Sequence, residues 1–402
     1  MEYSMVKKFV FNINGHYIDN NATELKETEL MKMNDVIHHQ LTIQKNAISS
    51  FHKTRKWDKY KKLTNSYELV FTSTQGCPSI AQRNPISRSF FKLWEILHDF
   101  KEEIGLPDVP ITSVFLADAP GGFGEAYIDY RKQCCSFKDE LYGMSLKATN
   151  KIIPDWKFND QYCQENNLKL FYGQTGTGNI YDINNIHELV DKVGNNNCFF
   201  ITADGGFDFS VDFNSQEDMS LRLILCEIYS ALKMQKNGGT FVLKIYDIHN
   251  KVTMKLLYIL KRFYNSMYFV KPLSSRPANS EKYVICTGFH IASIDHHEKV
   301  LSMLKLQITQ FDVNKVLTTC ELPISFVADI INYNRVFIAN QALHIAKTLM
   351  LIDNLNEYIT NEIVKNQVKK ALKWCHKYNI DISIPALHKY RNMYSAQITT
   401  VS

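Results

Sequence analysis

Phe115–Ala126 reads FLADAPGGFGEA. An apolar run, an acid and then Pro-Gly-Gly is the pattern of a strand that turns sharply into a helix. The turn fails two phosphate-binding tests. Gly121, Gly122 and Gly124 do not satisfy G-x-G-x-x-G, no glycine stands at 127, and no G-K-[ST] follows as in a P-loop. What remains is a Gly-Gly turn at a strand's C-terminal end, where open α/β sheets bind ligands. Glycines there let a ligand approach the backbone, the following helix N-terminus favours a carboxylate, and Asp118 suits an amine. Amine, carboxylate and nucleoside together describe S-adenosylmethionine. From this stretch alone, a plain strand-turn-helix with no ligand stays an open reading.

Around the turn, from about 81 to 292, short β-branched and aromatic runs (SVFLAD, LYGMSL, CFFITAD, GGTFVLKIY, MYFVK, KYVICTGF) alternate with helical patterns. MSLRLILCEIYSALKMQKNGG has apolar residues at helical spacing and predicts a helix that stops at Gly238-Gly239. This alternation predicts an α/β domain with a mostly parallel sheet flanked by helices. Residues 1–80 are polar with little periodicity and read as an N-terminal extension. Residues 293–402 read as a helical C-terminal region, for example VFIANQALHIAKTLMLIDNL at 336–355.

The chain has 402 residues and a net charge of +5, which permits a polyanionic partner without demanding one. Its nine cysteines form no paired C-x-x-C sets, so neither a disulfide framework nor a zinc site is expected, and no metal. No uncharged apolar run reaches 18 residues, and the N-terminus lacks the core of a signal peptide. A soluble intracellular protein is expected, with no membrane partner.

Four further segments bear on the chemistry. SRSFFKLWEIL (87–97) carries Lys92 in an amphipathic helical stretch, and FFITADGGF (199–207) ends an apolar strand on Asp204. GGTFVLKIYD (238–247) buries Lys244 in an otherwise apolar strand, where a lysine is costly unless paired. KPLSSRPANSEKYVICTGF (271–289) puts Glu281 just before another strand. Asp204, Lys244 and Glu281 would thus face one edge of one sheet. Taken singly, each has an ordinary alternative: a solvated helix lysine, a turn aspartate, a structural ion pair, a solvated strand entry.

Together, and in this order, Lys92, Asp204, Lys244 and Glu281 resemble the Lys-Asp-Lys-Glu tetrad of the FtsJ-type RNA ribose 2′-O-methyltransferases. The likeness covers roughly residues 61–290. SSRPANSEKYV, ADGGF and LCEIYSALKMQKNGG look like the cap-1 methyltransferases of eukaryotes and their relatives in large DNA viruses. The resemblance implies a Rossmann-like, seven-stranded methyltransferase fold. It also implies S-adenosylmethionine as cofactor and the capped 5′ end of mRNA as partner, other capping or transcription proteins being possible ones. The reaction implied converts cap 0 to cap 1 by methylating the 2′-hydroxyl of the first transcribed nucleotide. The address would be cytoplasmic, the virion included, for a viral protein and nuclear for a cellular one.

The chemistry fits those groups. A 2′-hydroxyl must lose its proton as it attacks a sulfonium methyl. Desolvation and neighbouring positive charge would depress the Lys244 pKa toward a neutral base, whereas the carboxylates would raise it. The balance is open in sequence, and orientation by Lys244 is the alternative role. By the same resemblance, the cofactor is held by Asp118, Ala119, Pro120, Gly121, Gly122, Phe123, Asn179, Ile180 and Asp204. Asn179 stands where relatives carry Asp, and GMSLK (143–147) lacks the usual ribose-binding acid.

For the substrate, the basic-aromatic stretch HKTRKWDKYKK (52–62) fits a phosphate-contacting arm. The cap subgroup implies RNA contacts from Lys61, four positions before NSYE, from Asn214 and Gln216, and from Glu281. Trp57 and Phe207 are candidates to stack the methylated guanine. The lysines at 365, 369, 370, 373 and 377 read as a solvated helix face, with an extended RNA path as the alternative. Two other functions remain: a ribosomal or transfer RNA 2′-O-methyltransferase, and a non-catalytic RNA-binding or virion protein that kept the fold.

Overall fold

A computed structural model describes residues 9–10, 26–52, 56–73, 77–150, 153–207, 209, 212–312, 315, 317–318 and 320–398. Chain order begins with β1 (Phe9–Val10), α1 (Glu27–His52), α2 (Lys56–Leu63), α3 (Ser89–Asp99) and α4 (Lys101–Ile104). The α/β core continues through β2 (Thr112–Leu116), α5 (Gly122–Cys134), β3 (Glu140–Met144), α6 (Asp160–Glu165), β4 (Leu168–Phe171), α7 (Ile183–Val193) and β5 (Cys198–Ala203). It closes with α8 (Gln216–Met234), β6 (Gln235–Ile245), α9 (Lys251–Phe263), β7 (Tyr264–Val270) and β8 (Lys282–Phe289). Helices α10 (Ile294–Thr309), α11 (Ile324–Asn354), α12 (Glu357–Lys377) and α13 (Ile384–Ile398) follow.

The sheet order is β1-β7-β8-β6-β5-β2-β3-β4. Strands β2 to β6 pair in parallel with their neighbours, whereas β8 runs antiparallel between β6 and β7. Seven strands therefore form the expected α/β sheet, and the N-terminal β1 adds a two-residue antiparallel edge against β7. Strand β4 is a find of the structure, since LKLF at 168–171 carries no long apolar run.

Alternation along each strand feeds two cores. Val114, Leu116, Ile201, Ala203, Phe241, Leu243 and Ile245 face α7 to α11. Phe115, Phe200, Val242, Tyr283 and Ile285 face α3, α5 and α12. Lys244 shares the Val242 face, so period 2 alone aims it toward α3.

Helix α8 ends at Met234, four residues before the expected Gly-Gly stop. The chain crosses directly into β6, and Gly238-Gly239 sits in an irregularity where the β5–β6 register shifts. Gly238 has φ +79, and a Cβ on Gly239 would lie 2.7 Å from the Phe199 carbonyl. The glycines serve a bulge, not a helix cap.

The N-terminal and C-terminal segments pack on each other. Leu41 and Ile48 of α1 and Trp57 of α2 bury against Ile338 and Ile345 of α11. The Asn334 side-chain amide donates to Asn34 Oδ1 at 3.0 Å, and that of Gln367 donates to the Lys62, Leu63 and Asn65 carbonyls. Trp94 Nε1 of α3 donates to the Tyr378 carbonyl at the end of α12, at 2.9 Å. Sparse apolar positions hid α1 in sequence because its partner, α11, lies some three hundred residues away.

Candidate active site

Strand order reverses between β2 and β5, the switch point where open α/β sheets hold ligands. A cavity of about 690 Å³ opens there. Its wall comes from successive strand ends: Ala119 and Pro120 after β2, Met144 to Leu146 at β3, and Gly178 to Tyr181 after β4. Asp204 to Phe207 follow β5, and Lys244 and Tyr246 close it from β6. Lys92 and Arg88 reach in from α3, and Glu281 from the loop before β8.

The four charged candidates meet as two ion pairs. Lys92 Nζ lies 2.8 Å from Glu281 Oε1 and 2.9 Å from Oε2. Lys244 Nζ donates to the Asp204 carbonyl at 2.7 Å and lies 3.1 Å from Asp204 Oδ1, which also accepts from the Tyr283 hydroxyl at 3.1 Å. Register explains the second pair: Ala203 is opposite Leu243 and Lys244 is opposite Tyr283. Glu281 is held further by the Ser275 hydroxyl at 2.9 Å, and its carbonyl accepts from Lys271 at 2.6 Å.

Electrostatics separates the two lysines. Burial pushes Lys244 down, but Asp204, Tyr246 and Glu281 outweigh it and hold its pKa above the ordinary lysine value. Burial of Lys92 prevails over the pull of Glu281 and Asp204, so its pKa lies below the ordinary value. Glu281 sits well below the usual carboxylate range: burial would raise it, and Lys92, Lys244 and Lys271 reverse that. Lys244 is thus the firmer cation.

The Gly-Gly turn requires a correction. Asp118 is 2% exposed, and its two oxygens accept the Phe123 N–H at 2.9 Å and the Gly124 N–H at 2.8 Å. It caps the start of α5 and does not face the cavity, so it is not placed to meet an amine. Burial, with Asp204 adding, pushes its pKa up to about 8. Gly121, Gly122 and Phe123 do not wall the cavity either. A Cβ on Gly121 would meet the Phe158 ring at 2.5 Å, and one on Gly122 would meet the Ser89 and Ser87 hydroxyls at 2.1 and 2.3 Å. These glycines admit α3 and Phe158; Ala119 and Pro120 are the turn residues at the cavity.

In the loop after β4, Asn179 and Ile180 both line the wall. Asn179 Oδ1 accepts the Tyr181 N–H at 3.0 Å, and Asn185, fully buried, bonds Thr175 and the Asn179 carbonyl to fix this loop. At the end of β3, where no acid stands, Ser145 lines the wall.

Residues 85–289, half of the chain, match the FtsJ-like methyltransferase family. The chain belongs to the FtsJ-like methyltransferases. Similar curated proteins are named cap-specific mRNA (nucleoside-2′-O-)-methyltransferase 1. The Mus musculus protein is 34% identical over 227 residues, covering 53% of this chain and 26% of that one. The Drosophila melanogaster protein is 31% identical over 219 residues, covering 52% and 27%. That of Trypanosoma brucei brucei is 32% identical over 206 residues, covering 48% and 54%. The chain spans about a quarter of the animal relatives and about half of the trypanosome one.

Beside the first cavity of this FtsJ-like fold lies a second, of about 420 Å³, and the two share Phe207, Tyr246 and Glu281. Lys61, Trp57 and Gln216 line it. Asn214 does not; its amide donates to Asn46 Oδ1 at 2.8 Å instead. Trp57 is only 3% exposed, an edge of the cavity more than a free stacking platform, whereas Phe207 is 39% exposed at the junction. Residues 53–55 of the basic stretch lie outside the described residues.

Several residues escaped the sequence reading. Lys45 of α1, in a segment without evident periodicity, lines the second cavity and pairs with buried Asp247 at 2.6 Å. Tyr246, two positions after Lys244, shares its strand face, and Arg88 lies one helical turn before Lys92; both spacings were legible. Glu227 is an acid on the buried side of α8 that lies against the Gly205 backbone; a Cβ on Gly205 would meet its Oε1 at 2.5 Å. Burial pushes its pKa up to about 8.

Proposed function

We propose that the chain transfers a methyl group from S-adenosylmethionine to the ribose 2′-oxygen of the first transcribed nucleotide of capped mRNA, converting cap 0 to cap 1. The observation that carries this reading is the convergence of Lys92–Glu281 and Lys244–Asp204 on one wall of the switch-point cavity. A module that only bound RNA would have no use for two lysines buried at strand and helix positions.

The cavity fits the cofactor. Its volume lies in the range of small-molecule sites, and its wall mixes apolar Ile180, Leu223, Met144 and Pro120 with polar Asn179, Ser145 and Asp204. Gly206 keeps space open at the reacting end: a Cβ there would come within 2.6 Å of the Tyr246 hydroxyl and 3.0 Å of Lys244 Nζ. Ala119, Pro120, Asn179, Ile180 and Asp204 would hold the cofactor. When bound, it supplies an electrophilic methyl group.

The chain's own residues do the rest. Lys244, protonated and fixed by both the carbonyl and the carboxylate of Asp204, presents Nζ as a hydrogen-bond donor. In that state it orients a hydroxyl, and the proton shed as the oxygen takes the methyl group passes to solvent; accepting it at Nζ would first require Lys244 to lose one against the pull of Asp204. Glu281 stays ionised and keeps Lys92 in place, and Tyr283 restrains Asp204. The second cavity takes the capped end, with Lys61 and Gln216 on its wall and Phe207 as the exposed aromatic at the junction. The cationic methylated guanine gains from such a ring face.

The test is methyl transfer from labelled cofactor to otherwise identical RNAs beginning m7GpppN, GpppN or a 5′-triphosphate. Preference for the capped RNAs, abolished by Lys244→Ala, is expected. Equal labelling of all three defeats cap recognition and favours a ribosomal or transfer RNA substrate. Absence of labelling defeats the enzyme reading.

A further inference from the structure

Where α1 lies along α11, the apolar seam of each helix is broken by a polar residue. Leu41 and Ile48 of α1 pack with Ile338 and Ile345 of α11, all buried. Lys45 stands between the first two and Gln341 between the second two, at the three- and four-residue spacing that keeps side chains on one helix face. Lys45 is 3% exposed and Gln341 1%. Apolar residues in place of such buried polar partners are often neutral or stabilising. Stability alone therefore does not account for the two polar residues.

A directed run of hydrogen bonds joins them. Lys45 Nζ donates to Asp247 Oδ2 at 2.6 Å, the Ser280 hydroxyl donates to the same oxygen at 3.1 Å, and the Gln341 amide donates to Ser280 Oγ at 3.0 Å. Ser280 has one proton and gives it to the carboxylate, so its oxygen accepts from Gln341. The Gln341 amide also donates to the Ala278 carbonyl at 3.2 Å, and Lys45 to the Phe213 carbonyl at 2.9 Å. Asp247 and Ser280 are buried as well, which strengthens each bond and makes a lost partner costly.

The run borders one cavity and not the other. Lys45, Ala278, Ser280 and Gln341 wall the second cavity, and none of these four walls the first. Asp247 and Ser280 are the chain neighbours of Tyr246 and Glu281, which stand where the two cavities meet. Lys45 and Gln341 themselves lie outside residues 85–289, the segment matched to the FtsJ-like family.

We propose that Lys45 and Gln341 are positioning residues for the capped end of the RNA: through Asp247 and Ser280, helices α1 and α11 fix the wall that the second cavity presents beside Glu281. The inference rests on the reading that this cavity takes the capped end. It gives the segments before and after the family-matched one a part in substrate binding and leaves the cofactor side alone.

The experiment uses the full chain with Lys45→Met, Gln341→Met and both together. Three quantities are measured: methyl transfer to m7GpppN-capped RNA, binding of that RNA by fluorescence anisotropy, and binding of S-adenosylmethionine by calorimetry. Each single variant should raise KM and Kd for the capped RNA about fivefold or more, with cofactor affinity within about twofold of wild type. The larger part of the loss should fall on KM and not on kcat. The double variant should fall short of the product of the singles, because both act through one Asp247–Ser280 link. Thermal melting checks folding: Asp247 keeps Lys282 at 3.9 Å when Lys45 is lost, and if Lys45→Met still fails to fold, Gln341→Met, which removes no charge, decides. A purely structural role would lower kcat through the folded fraction and leave KM in place. Wild-type KM and Kd for capped RNA overturn the proposal, as do effects that multiply in full or an equal loss of cofactor affinity. If the wild type binds capped RNA without methylating it, the proposed function fails and the Kd ratios alone decide this inference; if it binds none, both fall.

Discussion

Replacing Glu281 with glutamine tests whether Lys92–Glu281 is a working ion pair. In the native site the two side chains are 9% and 15% exposed and 2.8 Å apart. Without the carboxylate charge, Lys92 either stays charged and unpaired or gives up its proton. Removing one partner of a buried pair costs about 3–5 kcal/mol. Releasing the proton at pH 7 costs at most about 1.4 kcal/mol for each pH unit below 10.4, about 5 kcal/mol. The two routes agree. With about 2.1 cal/mol/K of unfolding entropy per residue over 402 residues, the melting temperature should fall by about 4–6 °C.

The pH dependence fixes the cause. Glu281 has a depressed native pKa, so the wild type holds its contribution above the unfolded carboxylate pKa and loses it as pH falls. In the variant, Lys92 drops further below its unfolded value, the unfolded chain binds more protons, and stability rises with pH. The deficit measured by scanning calorimetry should therefore narrow from pH 7 to pH 10. Lys92→Met/Glu281→Gln removes both charges and should recover most of the lost stability while methyl transfer stays abolished. A deficit that is absent at pH 7, flat to pH 10, or undiminished in the double variant refutes the reasoning.

Lys244→Met should lower kcat at least about 100-fold with little change in cofactor binding by calorimetry; a loss confined to KM would remove Lys244 from the reaction. Gly122→Ala drives a Cβ into the Ser87 and Ser89 hydroxyls at the start of α3. It should cost about 1–3 kcal/mol and reduce transfer by moving Lys92, whereas a variant of native stability would show that α3 gives way freely. Trp374 Nε1 donates at 2.9 Å to Glu95, the buried carboxylate that also accepts the Leu273 and Ser274 N–H groups. Trp374→Phe should therefore lower stability by about 1.5–3 kcal/mol in a denaturant titration, and an unchanged midpoint would show that α12 does not brace the loop that carries Glu281.

What could be read from the sequence was whatever depends on local period and on an expensive residue. A lysine inside GGTFVLKIYD is anomalous in any sheet, and alternation alone sends it to the Val242 face, toward α3. Asp204 and Glu281 follow as the acids nearest to strand ends on either side. The direction of a side chain at a turn is a different matter. Asp118 suits an amine in composition, but two helix N–H groups lie closer and claim both oxygens. Their positions depend on how α5 leaves the turn, which residue type does not report. Trp57 failed as a free platform for the same kind of reason: its cover, Ile338 and Ile345, arrives from α11. The buried acids complete the case. Glu95, Glu227 and Asp247 stand in runs whose neighbours are apolar, and a carboxylate is as costly there as the lysine that drew notice. Each proves to lie against the candidate site: Glu95 on the loop that leads to Glu281, Glu227 beneath Gly205, and Asp247 on Lys45. Anomalous burial cost therefore points to the surroundings of an active site as well as to its reacting groups, and an acid in a buried stripe warrants the same question as a lysine.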